Sequence, residues 1–144
     1  MSIDRDYSVK YGVSVPEHEI ENVIKQTLKG IAKSKGQTAK KYFDPEVLEY
    51  DWAASEAIAI FIHEKFPLVN FDSGYADEMS GELPYAIFYI KESEIHADRY
   101  EDGVYKELSK NHKQEALEQL DSLLELIGYE DAPEKTWVFI ARIS

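Results

Sequence analysis

Cysteine is absent from this 144-residue chain, and its absence removes three kinds of chemistry. Without thiols the chain forms no disulfide, holds no zinc through thiolates and presents no cysteine nucleophile. The first residues contain no apolar run typical of a signal peptide, so we expect a cytoplasmic protein. Glu56 interrupts the main apolar stretch, which is shorter than the roughly 20 residues that span a bilayer. We therefore expect no association with a membrane.

The linear motifs that identify many enzymes are also missing. The chain has no glycine-rich phosphate loop, no G-x-S-x-G elbow, no H-E-x-x-H pair, no calcium-binding loop and no dinucleotide fingerprint. These absences remove the enzyme classes that have such signatures, and we predict no cofactor and no catalytic residue. Because sites assembled from scattered residues leave no linear motif, the question of catalysis stays open, with a non-enzymatic role favoured.

Basic residues are scarce relative to acidic ones, and the formal net charge is −12. The first 43 residues carry eight Lys/Arg and five Asp/Glu, whereas the remaining 101 carry eight Lys/Arg and 23 Asp/Glu, a net charge of −15. Proteins that bind nucleic acid present a dominant basic surface, so direct binding to nucleic acid is not expected. A strong acidic field instead steers basic partners towards the protein, although solubility alone also accounts for such a charge.

Periodicity predicts an α+β fold in the order β-α-α-β-β-α-β. The predicted elements are a strand at 7–13, a helix from Ser14, a nearly all-apolar helix within 44–66, strands at 68–72 and 84–90, a helix from Asn111 to Gly128 and a strand at 137–143. A continuation of the strand at 84–90 to about residue 95 is left open. The apolar helix is the core element, capped by Asp44. We predict a single domain over residues 1–144, with a mostly antiparallel sheet of about four strands and the helices packed on one face.

Four local expectations accompany this fold. The polar residues of the first strand are predicted to face water. Ser73-Gly74 and Ser80-Gly81 predict an exposed loop between them. The odd-numbered residues of the closing strand, from Trp137 to Ile143, are predicted to pack under the helices. Residues 94–108 show no consistent pattern and receive no assignment.

One group of residues has the chemistry of a metal site. If the strand that begins at 84 continues straight, Glu92, Glu94, His96 and Asp98 point to the same side. Three carboxylates and an imidazole suit a hard or borderline divalent cation, and a water activated by that cation would permit hydrolysis. A small-ligand or metal-dependent enzyme centred on these residues is therefore the alternative function. An acidic strand end facing water explains the same pattern, so we assign no metal ligand.

The favoured function comes from the tyrosines, of which the chain has ten. Several stand beside acids, and tyrosine is enriched at interface hot spots. Packing in strands explains four of them, Tyr7, Tyr11, Tyr85 and Tyr89. It is a less convincing explanation for Tyr75, Tyr100, Tyr105 and Tyr129. We predict a non-enzymatic protein-binding module whose acidic, tyrosine-bearing surface docks on a basic protein, including one that itself binds nucleic acid. The predicted partner-binding residues are Tyr75, Asp77, Glu78, Tyr100, Glu101, Asp102 and Tyr105.

This class includes a phage or mobile-element inhibitor, an immunity protein and a nucleic-acid mimic, because spaced carboxylates can stand in for phosphates. A third hypothesis is a homo-oligomer in which the lysine-rich region from Lys25 to Lys41 meets the acidic remainder of a neighbouring copy. The oligomeric state and the identity of the partner are not predicted.

Overall fold

A computed structural model describes residues 5–34, 52–78, 81–97 and 113–143 of the chain, and these residues contain five strands and three α-helices. In chain order the elements are β1 (Arg5–Ser14), α1 (Ile20–Ser34), α2 (Trp52–Lys65), β2 (Val69–Glu78), β3 (Gly81–Ile90), β4 (Ile95–Ala97), α3 (Gln114–Leu126) and β5 (Thr136–Ile143). Single 3₁₀ turns lie at Glu17–Glu19 and Lys91–Ser93. The α+β class and the predicted order are confirmed, with β4 as a short addition. The predicted cap of the second helix, Asp44, lies outside the described residues.

The first strand, β1, is the centre of an antiparallel sheet. One of its edges pairs with β5, and its other edge pairs with both β3 and β4. Because β3 and β4 share that edge, the five strands fill four positions, with β2 outside β3 and β5 at the opposite side. The prediction of an antiparallel sheet with about four strands is therefore confirmed.

The pairing along the shared edge is interrupted between β3 and β4. Gly12 lies opposite Tyr89 in β3, and Tyr7 lies opposite Ala97 in β4, so the paired residue numbers sum to 101 and then to 104. The segment that runs from β3 to β4 along this edge therefore contains three residues more than the part of β1 that it pairs with. These residues form the 3₁₀ turn at Lys91–Ser93.

A serine hydroxyl supplies the hydrogen-bond acceptor that β1 lacks at this interruption. The backbone N–H of Tyr11, which has no strand partner opposite it on this edge, donates to Ser93 Oγ at 2.9 Å. The hydroxyl of Ser93 donates in turn to the carbonyl oxygen of Ile90 at 2.6 Å. A buried backbone N–H without an acceptor is costly, so Ser93 replaces the missing partner of the ladder.

The helices cover one face of the sheet, as predicted, and form the main core with it. Each helix contributes side chains with no exposed surface, among them Leu28 of α1, Ile58 of α2 and Leu120 of α3. They pack with residues of the sheet such as Val13 and Phe88. Full burial of one such side chain stabilises the fold by roughly 1.5–3 kcal/mol, so this layer supplies most of the apolar stabilisation.

The opposite face of the sheet is also buried, and among the described residues its apolar cluster is formed by strand residues. This cluster contains Tyr85, Ile87 and Tyr89 of β3 with Val138 and Ile140 of β5. The two outer strands, β2 and β5, approach each other to within 8 Å between Cα atoms, because the sheet curls. We call the inner side of this curl the trough. The expectation that the polar face of β1 meets water is wrong, since the trough encloses it.

Two further local expectations are wrong. In β5, Ile140 is buried and faces the trough, whereas Phe139 is 51% exposed, so the expectation fails at Phe139. For Ala141 and Ile143 it stays a prediction. The stretch expected as a loop is the β2–β3 hairpin, which is paired as far as Glu78 opposite Gly81. A Cβ on Gly74 would lie 3.3 Å from the hydroxyl of Tyr85, so the tyrosine ring covers this glycine and compensates for its missing side chain.

Candidate functional site

A lysine lies at the centre of the trough. Strand alternation places Lys10 on the face opposite the helices, and it is only 1% exposed. Its Nζ lies 3.2 Å from Asp72 Oδ2, 2.9 Å from Glu94 Oε2 and 4.6 Å from the centre of the Tyr89 ring. Lysine is almost never fully buried unless it is paired, and here two carboxylates and an aromatic face compensate its charge.

Two tyrosine hydroxyls complete this trough network. Tyr85 donates a hydrogen bond to Asp72 Oδ2 at 3.1 Å. Burial, with the nearby carboxylates of Glu94 and Asp72, raises the pKa of Tyr89 well above its ordinary value, so its phenol stays protonated at neutral pH. No buried side-chain polar atom in the described part of the chain lacks a partner. The trough network therefore links side chains of β1, β2 and β3 and of the segment before β4 through charge pairing and hydrogen bonds.

A separate concave feature lies between α3 and the segment that follows it, with a cavity volume of about 570 Å³. The apolar part of its lining, which we call the floor, consists of Val13, Leu124, Tyr129, Ala132 and Pro133. Its charged lining consists of Asp121, Glu125, Glu130, Glu134 and Lys135. We call this feature the acidic groove. Its volume lies within the range of roughly 300–1,000 Å³ that is typical of ligand pockets.

The groove exists because the chain reverses where α3 ends. Gly128 has the positive φ of 70° that an L side chain rarely adopts, and it is the helix-ending glycine that the sequence predicts. Its N–H donates to the carbonyl of Glu125, and the N–H of Tyr129 donates to the carbonyl of Leu124, both at 3.0 Å. This pair of bonds is a Schellman motif, which directs the following segment back alongside α3.

Two contacts hold this segment against α1 and the turn before it. Tyr129 is 8% exposed, and its hydroxyl donates to Glu19 Oε2 at 3.1 Å. Burial and the neighbouring Glu19 raise the pKa of Tyr129 to about 12. Gln26 Nε2 donates to the carbonyl oxygen of Gly128 at 2.7 Å. Tyr129 is therefore a core residue, and the prediction that packing is a less convincing explanation for it is wrong.

The electrostatics of the groove favour a cation. Its lining carries four carboxylates and one ammonium, a formal charge of −3. Glu125, Glu130 and Glu134 are exposed. The single ammonium, Lys135 Nζ, lies 2.6 Å from Asp121 Oδ1. The arrangement can bind a positively charged group and offers apolar surface beneath it.

No protein-family model, curated protein or solved structure matches the chain. What the chain binds is therefore inferred from its own residues. Among the helices in the described ranges, none has the length and hydropathy needed to cross a membrane.

The partner-binding residues predicted from the sequence are only partly described. Tyr75, Asp77 and Glu78 lie on β2. Tyr100, Glu101, Asp102 and Tyr105 lie outside the described residues. The role of all seven residues in partner binding stays a prediction.

The alternative metal site requires a straight strand through Glu92, Glu94, His96 and Asp98, and this prediction is wrong. A 3₁₀ turn interrupts the edge, so Glu92 faces Lys113 at 3.2 Å while Glu94 belongs to the trough network. His96 lies on β4, and Asp98 lies outside the described residues. In the part of the chain that the structure describes, no group of three or more His, Asp or Glu residues is placed to hold a metal ion.

Neither the trough network nor the acidic groove is predicted from the sequence. The signal for the network was a single lysine, Lys10, among small or apolar neighbours on β1. The signal for the groove was the Tyr129-Glu130-Asp131 run, with Glu125 one helical turn before Gly128. Neither signal shows which side chains meet, because both sites join residues that lie far apart in the chain.

Proposed function

We propose that the chain is a non-enzymatic protein-binding module that docks on a basic partner through the acidic groove. The observation that carries this proposal is the combination of an apolar floor and a lining of formal charge −3 in one concave surface. An acidic patch on a flat surface would be explained by solubility. A groove that also offers apolar surface has the two properties that a lysine or arginine side chain requires.

Those side chains have an apolar stem and a charged head. The stem is stabilised by apolar surface such as that of Leu124 and Pro133, and the head by carboxylates such as that of Glu125. Hydrogen bonds between a charged donor and a carboxylate are roughly twice as strong as neutral ones. A partner that inserts a basic side chain therefore gains both terms at one site.

The net charge of the whole chain supports the same proposal. At −12 the protein attracts basic partners over distance, which increases the association rate and makes it dependent on salt. The seven residues predicted from the sequence are a second contact area within the proposal. A cytoplasmic inhibitor, an immunity protein and a nucleic-acid mimic directed at a nucleic-acid-binding protein are specific versions of it.

The test identifies the partner and then compares two double variants with equal charge. The immobilised protein is exposed to a cytoplasmic lysate, and proteins eluted by moderate salt are identified and purified. Glu125→Lys/Glu130→Lys reverses two groove charges, and Glu17→Lys/Glu56→Lys reverses two exposed charges outside the groove lining. We expect the groove variant to weaken binding at least about tenfold and to reduce its salt dependence, because an attractive contact becomes repulsive.

The control variant should weaken binding much less, through the change in net charge alone. Equal effects of the two variants would contradict docking at the groove. A salt-eluted fraction that contains no basic protein would contradict the proposed class of partner.

A further inference from the structure

The acidic groove already contains one cation, which belongs to the chain itself. Among the described residues that line the groove, Lys135 is the single basic one. Its side chain is 26% exposed, whereas that of its partner Asp121 is 63% exposed. The lysine is therefore mostly covered, and the carboxylate that binds it lies at the rim.

This ion pair is shorter and its lysine is less exposed than in another pair of the described residues, Lys113–Glu92. The distance of 2.6 Å between Lys135 Nζ and Asp121 Oδ1 is shorter than the 3.2 Å in the Lys113–Glu92 pair. Lys113 and Glu92 are 65% and 58% exposed, so that pair is surrounded by water. In the groove pair a mostly covered lysine stem is combined with a bound head, which are the features expected of a bound partner side chain.

We infer that Lys135 occupies the subsite that a lysine or arginine side chain of the partner takes in the complex, and that it competes with the partner for this subsite. The inference rests on the proposed function and deepens it, because it names the chemistry of the bound group. Asp121 keeps a cationic partner throughout the exchange, whereas Lys135 moves into water. The loss is small because ion pairs at this level of exposure contribute little to stability.

The exchange also predicts a preference among partners. The planar guanidinium of arginine donates two parallel hydrogen bonds, whereas an ammonium acts as a point charge. Arginine can therefore bind Asp121 and a neighbouring carboxylate such as Glu125 through separate N–H groups. An arginine side chain should displace Lys135 more readily than a lysine side chain does.

The test uses a fluorescein-labelled peptide of nine arginines, with binding measured by fluorescence anisotropy in 0.15 M salt. Lys135→Met keeps an unbranched apolar stem and removes the ammonium. We expect this variant to bind the peptide about two- to fivefold more tightly than the wild type does, the range that corresponds to an exposed ion pair. A peptide of nine lysines should bind the wild type more weakly than the arginine peptide does.

Lys113→Met is the matched control, because it removes the same charge and breaks an ion pair outside the groove. Lys113 is the N-cap residue of α3 and precedes Asp121 by eight residues. This corresponds to about 12 Å along the helix axis, which exceeds the Debye length of about 8 Å at this salt concentration. The control should therefore tighten binding less than Lys135→Met does. Lys135→Gln, a second variant at the same position, should tighten binding as Lys135→Met does.

The outcomes separate this inference from the proposed function. Unchanged or weaker binding by both Lys135 variants, or tightening no greater than that of the control, overturns the role of Lys135. If Glu125→Lys/Glu130→Lys weakens peptide binding while the Lys135 variants do not change it, the proposed function stands and the inference fails. If the wild type and the Lys135 variants all fail to bind the peptide at low salt, both are overturned.

Discussion

The trough network allows a quantitative prediction, because Lys10 is 1% exposed while its two carboxylate partners are about a quarter exposed. The variant Asp72→Asn/Glu94→Gln keeps the size of both side chains and their ability to accept hydrogen bonds. It removes both negative charges and leaves a buried ammonium without a counter-charge. Comparing this variant with the wild type therefore isolates the effect of the charge pairing from that of the packing and of the hydrogen bond donated by Tyr85.

Removing the partners of a buried charge costs about 3–5 kcal/mol. Lys10→Met should cost less, on the order of 1–2 kcal/mol, because the carboxylates that it leaves behind reach water. The triple variant Lys10→Met/Asp72→Asn/Glu94→Gln leaves no charge unpaired. It should therefore be more stable than the double variant, although it contains one more substitution.

Equilibrium unfolding in urea at pH 7 measures these differences through tryptophan fluorescence. Trp137 packs edge-on against Tyr11 with 5.4 Å between ring centres, so its emission reports on the sheet next to Lys10. With a typical urea dependence of about 2 kcal/mol per molar, a loss of 4 kcal/mol lowers the unfolding midpoint by roughly 2 M. A loss below about 1 kcal/mol for the double variant, or a triple variant that is no more stable than the double one, would refute the reasoning.

Two further predictions concern the sheet and the C-terminal end of α3. A Cβ on Gly12 would overlap the carbonyl oxygen of Phe88, so Gly12→Ala should cost about 3 kcal/mol or more and lower the thermal midpoint by roughly 10 °C. Gly74→Ala, whose Cβ would meet only a tyrosine ring, is the control, and equal midpoints for the two variants would contradict the steric argument. Burial and Glu19 raise the pKa of Tyr129 from 10 to about 12, so the unfolded chain releases the phenolic proton at a lower pH than the folded chain does. The stabilising contribution of Tyr129 is therefore complete below pH 10 and is lost as the pH rises towards 12. Tyr129→Phe should therefore make the fall in unfolding free energy between pH 9 and pH 11 shallower by up to about 1 kcal/mol in urea titrations, and equally steep falls would count against the buried hydrogen bond to Glu19.

The elements that the sequence predicts correctly depend on local patterns. The apolar stripe of α1 and the alternation of β1 are repeated within a few residues, so neither requires knowledge of the rest of the chain. Gly128 ends α3 with a positive φ for a reason that is also local, because only glycine adopts this conformation without strain. The order of elements and the antiparallel sheet follow from these patterns.

The expectations that fail depend on contacts between distant residues. Alternation shows that Lys10 and Ser8 share a face, but the curl of the sheet decides whether that face meets water. The Ser73-Gly74 pair resembles a turn, yet pairing with β3 along the whole hairpin outweighs this preference. The groove requires Tyr129 to reach Glu19, which precedes it by 110 residues, and no local pattern encodes that contact.

The candidate site shows the same division. The charge of −15 over residues 44–144 indicates an acidic surface, and the groove that the structure forms is acidic. The carboxylates that line the groove could not be identified from the sequence, because this part of the chain contains 23 acidic residues. The segment after Gly128 turns back along α3, and Glu130 and Glu134 therefore line the same groove as Glu125.

The central position of β1 has a consequence for the order in which the protein folds. Arg5 pairs with Ile143, so the strand synthesised early acquires one of its neighbours only after residues 136–143 have left the ribosome. The β2–β3 hairpin pairs residues close in sequence and can form without either end of the chain. During synthesis β1 therefore exposes an unpaired edge, and the interval before β5 arrives is the period in which a chaperone or a second nascent chain has access to that edge.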